Sequence, residues 1–560
     1  MKTNQVIQNN YDYIVVGAGS SGCVIASRLS EDPKVSVLLL EAGAVDRSWM
    51  IDMPLAVERL LTGTKYNWAY KSAPDESIGG RTIDHPRGKV LGGSSSINGM
   101  VYTRGNALDY ENWKTTYGCE GWGYPSVLPY FKKAEKSLSG RNTYRGDDGP
   151  LYVTKPDLTA NPINQAFMVA GAQAGYPVTT DSNGFQQEGF GPNEATIYKG
   201  KRWSAARAYL PDSVRQRDNL HIATNSLVSK IVLNGKVAKG VIFERDTSVY
   251  KVNANRETIL CGGAFNSPQL LQLSGIGPAD VLKDAGIDVA HELPGVGANL
   301  QDHPDIVIKF KCKLPLGLAN HLHFPRKQLT GLSWFIKQAG VAASNQFEAA
   351  AYLRSDAGVK YPNLKFELLP LAFKGHSLDP YEGHSFQIHL TLMRTHSRGY
   401  LAVRSADPKM PPTIKFNYLS DNRDVEILRK AIRMAREVVG QAAFQEIAGQ
   451  EFEPGINIDT DEDIERWIRN NVGTAFHPSC TCRMGTADDV MAVVTPDLKV
   501  RGIKSLRVVD ASVMPEVIAS NTNAPTIMIA ERAADLIRGR LLPAEHQAYF
   551  VSPTWETAQR

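Results

Sequence analysis

Residues 11–41 constrain the fold of this chain more than any other stretch. Tyr11-Asp12-Tyr13-Ile14-Val15-Val16 is aromatic and β-branched and stops at a glycine, the pattern of a short buried strand. It runs into Gly17-Ala18-Gly19-Ser20-Ser21-Gly22, a G-x-G-x-x-G, and then into a helical pattern through Cys23, Val24, Ala26 and Leu29. A second apolar run, Val35-Ser36-Val37-Leu38-Leu39-Leu40, closes on Glu41, nineteen residues after Gly22. Gly17 allows a tight turn, Gly19 lets backbone reach a pyrophosphate, and Gly22 permits close helix–strand packing. The helix N-terminus offers unpaired N–H groups and a positive dipole end to phosphates, and the acid at this distance suits ribose hydroxyls. The expected unit is α/β and Rossmann-like, with a dinucleotide site. A glycine-rich turn in an unrelated α/β unit would not put strand, helix, strand and acid in register.

Composition sets the class. The chain has 560 residues, and at roughly 100–200 residues per domain that implies two or more folded units. Hydrophobic residues at 42% and charged residues at 21% are ordinary for a globular protein and exclude a disordered or fibrous chain. A net charge of +4 without a long Lys/Arg cluster gives no nucleic-acid footprint. Six cysteines in a chain this long are not a disulfide framework and point to a reducing compartment. The one close pair, Cys480-Thr481-Cys482, has only His477 nearby, too few ligands for a metal, and none is expected. The N-terminus is polar, and no apolar run reaches the ~20 residues of a spanning helix. The expected location is cytoplasmic, with peripheral contact at the inner membrane left open.

Two later runs narrow the reading. Gly88-Lys89-Val90-Leu91-Gly92-Gly93-Ser94-Ser95-Ser96-Ile97-Asn98-Gly99 looks like backbone pressed against a flat ligand, because Leu91 and Ile97 argue against an exposed linker. Gly263-Ala264-Phe265-Asn266-Ser267-Pro268 follows an apolar strand, residues 258–261, and opens a helix that stops at Ser274-Gly275-Ile276-Gly277. Together these resemble the glucose–methanol–choline (GMC) oxidoreductase family over nearly the whole chain. The resemblance implies FAD, a substrate domain built on a sheet, and oxidation of an alcohol by hydride transfer to flavin N5. Tyr66-Asn67-Trp68-Ala69-Tyr70, Arg104-Gly105-Asn106-Ala107-Leu108-Asp109 and Gln186-Gln187-Glu188-Gly189-Phe190-Gly191-Pro192 are similar to segments of the family's choline-oxidising bacterial branch. Choline is therefore the expected substrate. Where some members attach FAD through a histidine after the Gly-Gly-x-Ser-Ser run, this chain has Ile97, so FAD is expected to be noncovalent. Acceptors other than oxygen, such as a respiratory chain or an artificial acceptor, are then the more natural expectation.

Alcohol oxidation needs a base for the hydroxyl proton, and near neutral pH histidine serves most readily. Of 12 histidines, His477 lies in Phe476-His477-Pro478-Ser479, where the proline stiffens the loop. The resemblance implies that His477 is the catalytic histidine near flavin N5. It further implies that Asn523, with Asn521 as fallback, faces the flavin beside it. His303 and most others, His376 among them, are expected to be structural. The resemblance implies cofactor contacts at Gly17, Gly19, Ser20, Ser21, Gly22, Glu41, Ala42, Trp68, Arg87, Leu91, Gly93, Ser94, Asn98, Gly99, Met100, Val101, Val228, Gly263, Ala264, Asp510, Ala511, Asn521 and Thr522. A quaternary ammonium cannot donate hydrogen bonds and needs aromatic faces or a carboxylate; by family position the acid is Glu348, with Phe476 as an aromatic wall.

The expected organisation is a Rossmann-like FAD-binding domain from residues 1–155, 220–310 and 475–540, interleaved with an α+β substrate domain from 155–220 and 310–475, and a tail over 541–560. The substrate domain is expected on an antiparallel sheet. Other readings are a dehydrogenase or oxidase of aliphatic or polyether alcohols, a hydroxynitrile lyase of the same family, and a non-catalytic FAD-binding protein.

Overall fold

The computed structural model describes residues 7–375 and 379–560. The start of the polar N-terminus, residues 1–6, and His376 lie outside the described residues.

The N-terminal motif folds as its pattern requires. Strand Asn10–Val16 and strand Val37–Leu40 flank helix Ser20–Leu29, and Ile14, Val15, Leu38 and Leu39 are fully buried. Both faces of this sheet are covered, which explains runs of apolar residues rather than alternation. A Cβ on Gly22 would sit 1.8 Å from the Gly17 carbonyl oxygen, so the helix can close on the strand only with glycine there. Strands Leu220–Ala223, Val37–Leu40, Asn10–Val16 and the end of Ser248–Leu260 pair in parallel. The rest of Ser248–Leu260 continues antiparallel into Val237–Arg245 and Ser226–Asn234, and Leu506–Val508 joins in parallel beside residues 258–260. Three distant parts of the chain thus build one seven-stranded sheet.

The second sheet is antiparallel throughout. Its order is Ala448–Glu453, Pro304–Cys312, Ser385–Leu392, Leu364–Leu369, Ala349–Leu353, Gly189–Pro192, with Gly473–Thr474 paired to the start of Pro304–Cys312. Helix Asn422–Val439 covers one face with Val425, Leu428, Ile432, Ala435 and Val438, at the 3.6-residue period of an amphipathic helix. The other face looks toward the first domain.

The two buried cores divide the chain at other points than the sequence boundaries. Pro304–Cys312 belongs wholly to the second sheet, so that region starts at 304, not 310. Helix Ala205–Tyr209 packs in the first core, with Ala205, Ala206, Ala208 and Tyr209 buried there. The segment 155–220 is therefore shared between the domains. Residues 541–560 form no regular strand or helix and clasp both units: Tyr549 packs on the first core, and Arg354 Nη1 donates to the Ala558 carbonyl at 2.8 Å.

Candidate active site

A single cavity of about 920 Å³ runs between the two sheets. One wall is backbone. Gly93 has φ +52°, and a Cβ there would lie 2.6 Å from Gly19 Cα, so the two glycine loops touch with no room for a side chain. Helix Ser20–Leu29 starts at Gly19 with no side-chain cap, which leaves its first N–H groups open to an anion. Glu41 faces the same cavity, its carboxylate accepting from the Ala18 and Gly43 N–H groups at 2.9 and 2.8 Å. Burial pushes this acid up to about 7, against those two bonds. An uncapped helix end, a side-chain-free cradle and an acid at the end of the second strand fit an extended dinucleotide, and they fit FAD.

At the other end, His477 is held tightly. The backbone N–H groups of His303 and His477 donate to Asp302 Oδ1 at 2.8 and 2.7 Å. Tyr418 donates to Oδ2 at 2.6 Å, and Thr474 Oγ1 also bonds Oδ2. Phe476, just before the histidine, has φ +64°, a left-handed conformation that costs of order 1–3 kcal/mol for a bulky residue. Arg87 Nη2 clamps its carbonyl at 2.8 Å. The His477 ring meets His303 Nδ1 through its own Nδ1 at 3.0 Å and Asn521 Nδ2 through Nε2 at 3.0 Å. Desolvation, then His303, Lys365 and Arg87, push His477 well below its ordinary value, so the ring is neutral and able to take a proton. Burial pushes His303 down to about 3.

The second wall is the open face of the antiparallel sheet. Asp305, Val307 and Lys309 alternate inward from one strand, Gln387, His389 and Thr391 from the next, and Glu367 and Leu369 from a third. Register aligns Asp305 with Thr391 and Lys365, and Val307 with His389 and Glu367. Asp305 accepts from His389 Nδ1 and from Thr391 Oγ1, both at 2.7 Å. Burial opposes charge on His389, but Asp305 prevails and raises it. Lys365 Nζ lies 2.6 Å from Glu367, and Lys309 Nζ 2.8 Å from Glu453.

Most expected cofactor residues line this cavity: Gly17, Gly19, Ser20, Ser21, Glu41, Ala42, Trp68, Arg87, Gly93, Ser94, Asn98, Gly99, Met100, Val101, Val228, Gly263, Ala264, Asp510, Ala511, Asn521 and Thr522. Gly22 and Leu91 do not. Gly22 is pressed on the Gly17 carbonyl, and Leu91 is fully buried in the core. Asn523 lines the cavity but does not reach His477; its Oδ1 accepts from Ser20 Oγ at 2.7 Å. Asn521, the fallback, occupies the place expected of Asn523, because Asn523 is already the first residue of helix Asn523–Arg538 and turns away toward the glycine loop. Glu348 is also displaced from its expected place. Its carboxylate is consumed by Asn164 Nδ2 at 2.9 Å and Ser344 Oγ at 2.7 Å, outside the cavity lining. Its neighbour in sequence, Phe347, lines the cavity instead, as does Phe476. His303, expected to be structural, touches His477 directly. Sequence reasoning missed Asp305, Lys365, Glu367 and His389. Their signal was polar residues at period two inside otherwise buried strands. Cys480 and Cys482 are buried free thiols, and among the described residues no group of three or more His, Cys, Asp or Glu could hold a metal ion.

The GMC oxidoreductase family model matches residues 11–305, and its C-terminal counterpart matches 395–530. The chain is 50% identical to the oxygen-dependent choline dehydrogenase of Stenotrophomonas maltophilia, covering 95% of each chain. It is 47% identical to that of Photobacterium profundum, covering 99% of this chain and 98% of the relative. Among solved structures, pyridoxine 4-oxidase from Mesorbium loti superposes with a TM-score of 0.86 at 30% identity, over 95% of this chain and 100% of that one. A formate oxidase variant from Aspergillus oryzae superposes with a TM-score of 0.89 at 27% identity, over 96% and 99%. With its sheets, its glycine cradle and its paired histidines in this arrangement, the chain belongs to the GMC oxidoreductase family and is an FAD-dependent oxidoreductase.

Proposed function

We propose that the protein oxidises choline to betaine aldehyde, the first step toward glycine betaine. The observation that carries this reading is a neutral base and an amide donor, His477 and Asn521, set against a sheet face with no uncompensated cation. Lys365 is matched by Glu367, Lys309 by Glu453 and His389 by Asp305, which Thr391 also holds. A quaternary ammonium can rest there, with Phe347 and Phe476 offering ring faces. Relatives that carry the choline dehydrogenase name at 47–50% identity support the same substrate.

Bound FAD would supply the hydride acceptor. The residues do the rest. His477 Nε2 takes the hydroxyl proton as the O–H bond breaks, a contribution of typically 10²–10⁴-fold. Asn521 Nδ2 donates to the oxygen as it gains negative charge, and the C=O bond forms as the carbon loses its hydride. Asp302 and Arg87 keep the His477 backbone where its ring can do this. The test is anaerobic flavin reduction in the wild type and in His477→Ala. The variant should keep its flavin and lose about 10²-fold or more in reductive rate. Near-normal reduction in the variant, or reduction by long-chain primary alcohols but not by choline, overturns the reading.

The acceptor and the location belong to the same proposal. The relatives' name carries oxygen dependence, which weighs against the expectation drawn from Ile97. No described helix is long and apolar enough to cross a membrane. Helix Arg326–Lys337, however, exposes Leu329, Leu332, Phe335 and Ile336, next to Phe324 at 82% exposure. The helix itself carries Arg326, Lys327 and Lys337 and no acid. Buried Trp334 anchors the helix by donating to the Gly200 carbonyl at 2.7 Å. An apolar face flanked by cations fits the surface of an anionic bilayer. Co-sedimentation with phosphatidylglycerol vesicles should be lost in Leu332→Asp/Ile336→Asp; equal binding by that variant sinks this part.

A further inference from the structure

Asn521 is held from both ends. Its Nδ2 faces His477 Nε2 at 3.0 Å, and its Oδ1 faces Lys365 Nζ at 2.8 Å, with Thr103 Oγ1 at 3.3 Å. An ammonium can only donate, so the amide oxygen must be the end toward Lys365. The NH₂ end is then the one toward His477. An N–H donor needs a lone pair opposite it, which places the lone pair of His477 on Nε2 and its proton on Nδ1. That proton is given to His303 Nδ1, 3.0 Å away. The proton of His303 then sits on Nε2, where the carbonyls of Met393 and Ile518 face the ring without reaching hydrogen-bond geometry. The chain of donors has one consistent direction, and its origin is Lys365.

Lys365 is itself fixed. It is 1% exposed, it pairs with Glu367 Oε1 at 2.6 Å, and its ammonium lies 5.4 Å from the Tyr352 ring centre. Asn193 Nδ2 holds the same Glu367 oxygen at 2.9 Å. We propose that Lys365 is a positioning residue for the reaction: its ammonium orients the Asn521 amide, and through that amide keeps the base lone pair of His477 on the nitrogen facing the cavity. The consequence is twofold. His477 is presented in its base-competent tautomer before substrate arrives, and Asn521 Nδ2, not Oδ1, meets the substrate oxygen. A flipped amide would place two acceptors, Oδ1 and the nascent alkoxide, against each other.

The charge of Lys365 adds to this. The charged or titratable groups around the His477 ring are His303 from the Gln301–Asp302 loop, Arg87 from the Pro86 loop, Asp302 beneath its backbone, and Lys365, Glu367, Asp305, Lys309 and His389 from the sheet. Of these His303, Lys365 and Arg87 disfavour the imidazolium. Removing Lys365 therefore moves the titration of the base upward.

The inference rests on His477 acting as base, and the experiment separates the two. Anaerobic reductive rates with choline are measured against pH for Lys365→Met, Lys365→Gln, Lys365→Arg and Asn521→Ala/Lys365→Met, each with its flavin content. Lys365→Met should lose about 10- to 100-fold in rate, the worth of one hydrogen bond to a charged group, mainly in kcat, and its acid limb should move to higher pH. Lys365→Gln keeps a donor without the charge but can also present its amide oxygen, so its rate should fall between Lys365→Met and wild type and it should still show the shifted limb. Lys365→Arg should restore both. In the Asn521→Ala background the Met substitution should cost almost nothing further, because the route through the amide is already gone. Equal loss in the Met, Gln and Arg variants, or a full Met effect in the Asn521→Ala background, overturns the proposal. So does a Lys365→Met enzyme with wild-type rate and pH profile. If Lys365→Met does not load flavin, the Gln and Arg variants alone decide. Loss in His477→Ala with no effect at Lys365 leaves the base intact and removes only this inference.

Discussion

The two walls of the cavity are made in opposite ways. The cofactor wall is backbone: Gly17, Gly19 and Gly93 leave a groove because they have no side chains. The substrate wall is side chain: Asp305, Glu367, His389 and Thr391 project from three strands far apart in sequence. The first wall tolerates almost no added atoms. The second tolerates exchange, because what it supplies is charge and hydrogen bonds rather than close approach. His477 and Asn521 sit at the seam.

The sharpest break of that comparison is a substitution just behind the backbone wall, where the helix presses on the Gly17 turn. Gly22→Val would drive a Cβ to 1.8 Å from the Gly17 carbonyl oxygen, an overpacking that relaxes only by parting helix from strand and costs ~3 kcal/mol or more. The expected outcome is loss of soluble holoprotein, read as the flavin-to-protein ratio; a fully loaded variant would mean that the cradle can give. At the seam, Asn521→Ala should lower the reductive rate by about 10²–10³-fold, the cost of an oxyanion donor. Asn523→Ala removes only the bond from Ser20 and should stay within about tenfold of wild type. Similar losses at the two positions would show that the local contact to His477 is not what matters.

A third outcome concerns pH. In the proposed reaction His477 acts only when neutral, and its titration is displaced below the ordinary histidine value of 6.5. Lowering that value keeps the base unprotonated further into acid, so kcat/KM should hold its plateau below pH 6.5. An acid limb centred above 6.5 would contradict the desolvation and the positive neighbours. The smallest effect is expected at Glu348. Glu348→Gln keeps partners for Asn164 and Ser344 and should change KM for choline by less than about threefold, whereas Glu367→Gln, in the substrate wall, should raise it. A large KM effect at Glu348 would return the acid to the site.

The contrast also explains what was legible. The G-x-G-x-x-G, Glu41 and the Gly92-Gly93-Ser94 run are short patterns at fixed spacing, so they are visible in a line of sequence, although Gly17 meets Cys261 and Gly93 meets Gly19 only in the fold. The Asn521 and Asn523 assignment was not legible, because both lie in one short polar run and only the start of helix Asn523–Arg538 decides which amide points at His477. Glu348 failed for a related reason. It lies just before strand Ala349–Leu353, where Asn164 and Ser344 take its carboxylate and its neighbour Phe347 faces the cavity.

The residues of this chain by themselves raised the expectation of a dinucleotide cradle, of a histidine base in a stiff loop and of two interleaved domains, because those rest on glycine spacing, on a proline beside the histidine and on long runs shared with a family. Only the tertiary structure decided which groups surround the base. Lys365, Asn521, His477 and His303 come from four separate segments, and the direction of their hydrogen bonds follows from distances that exist only after the two sheets have closed on each other.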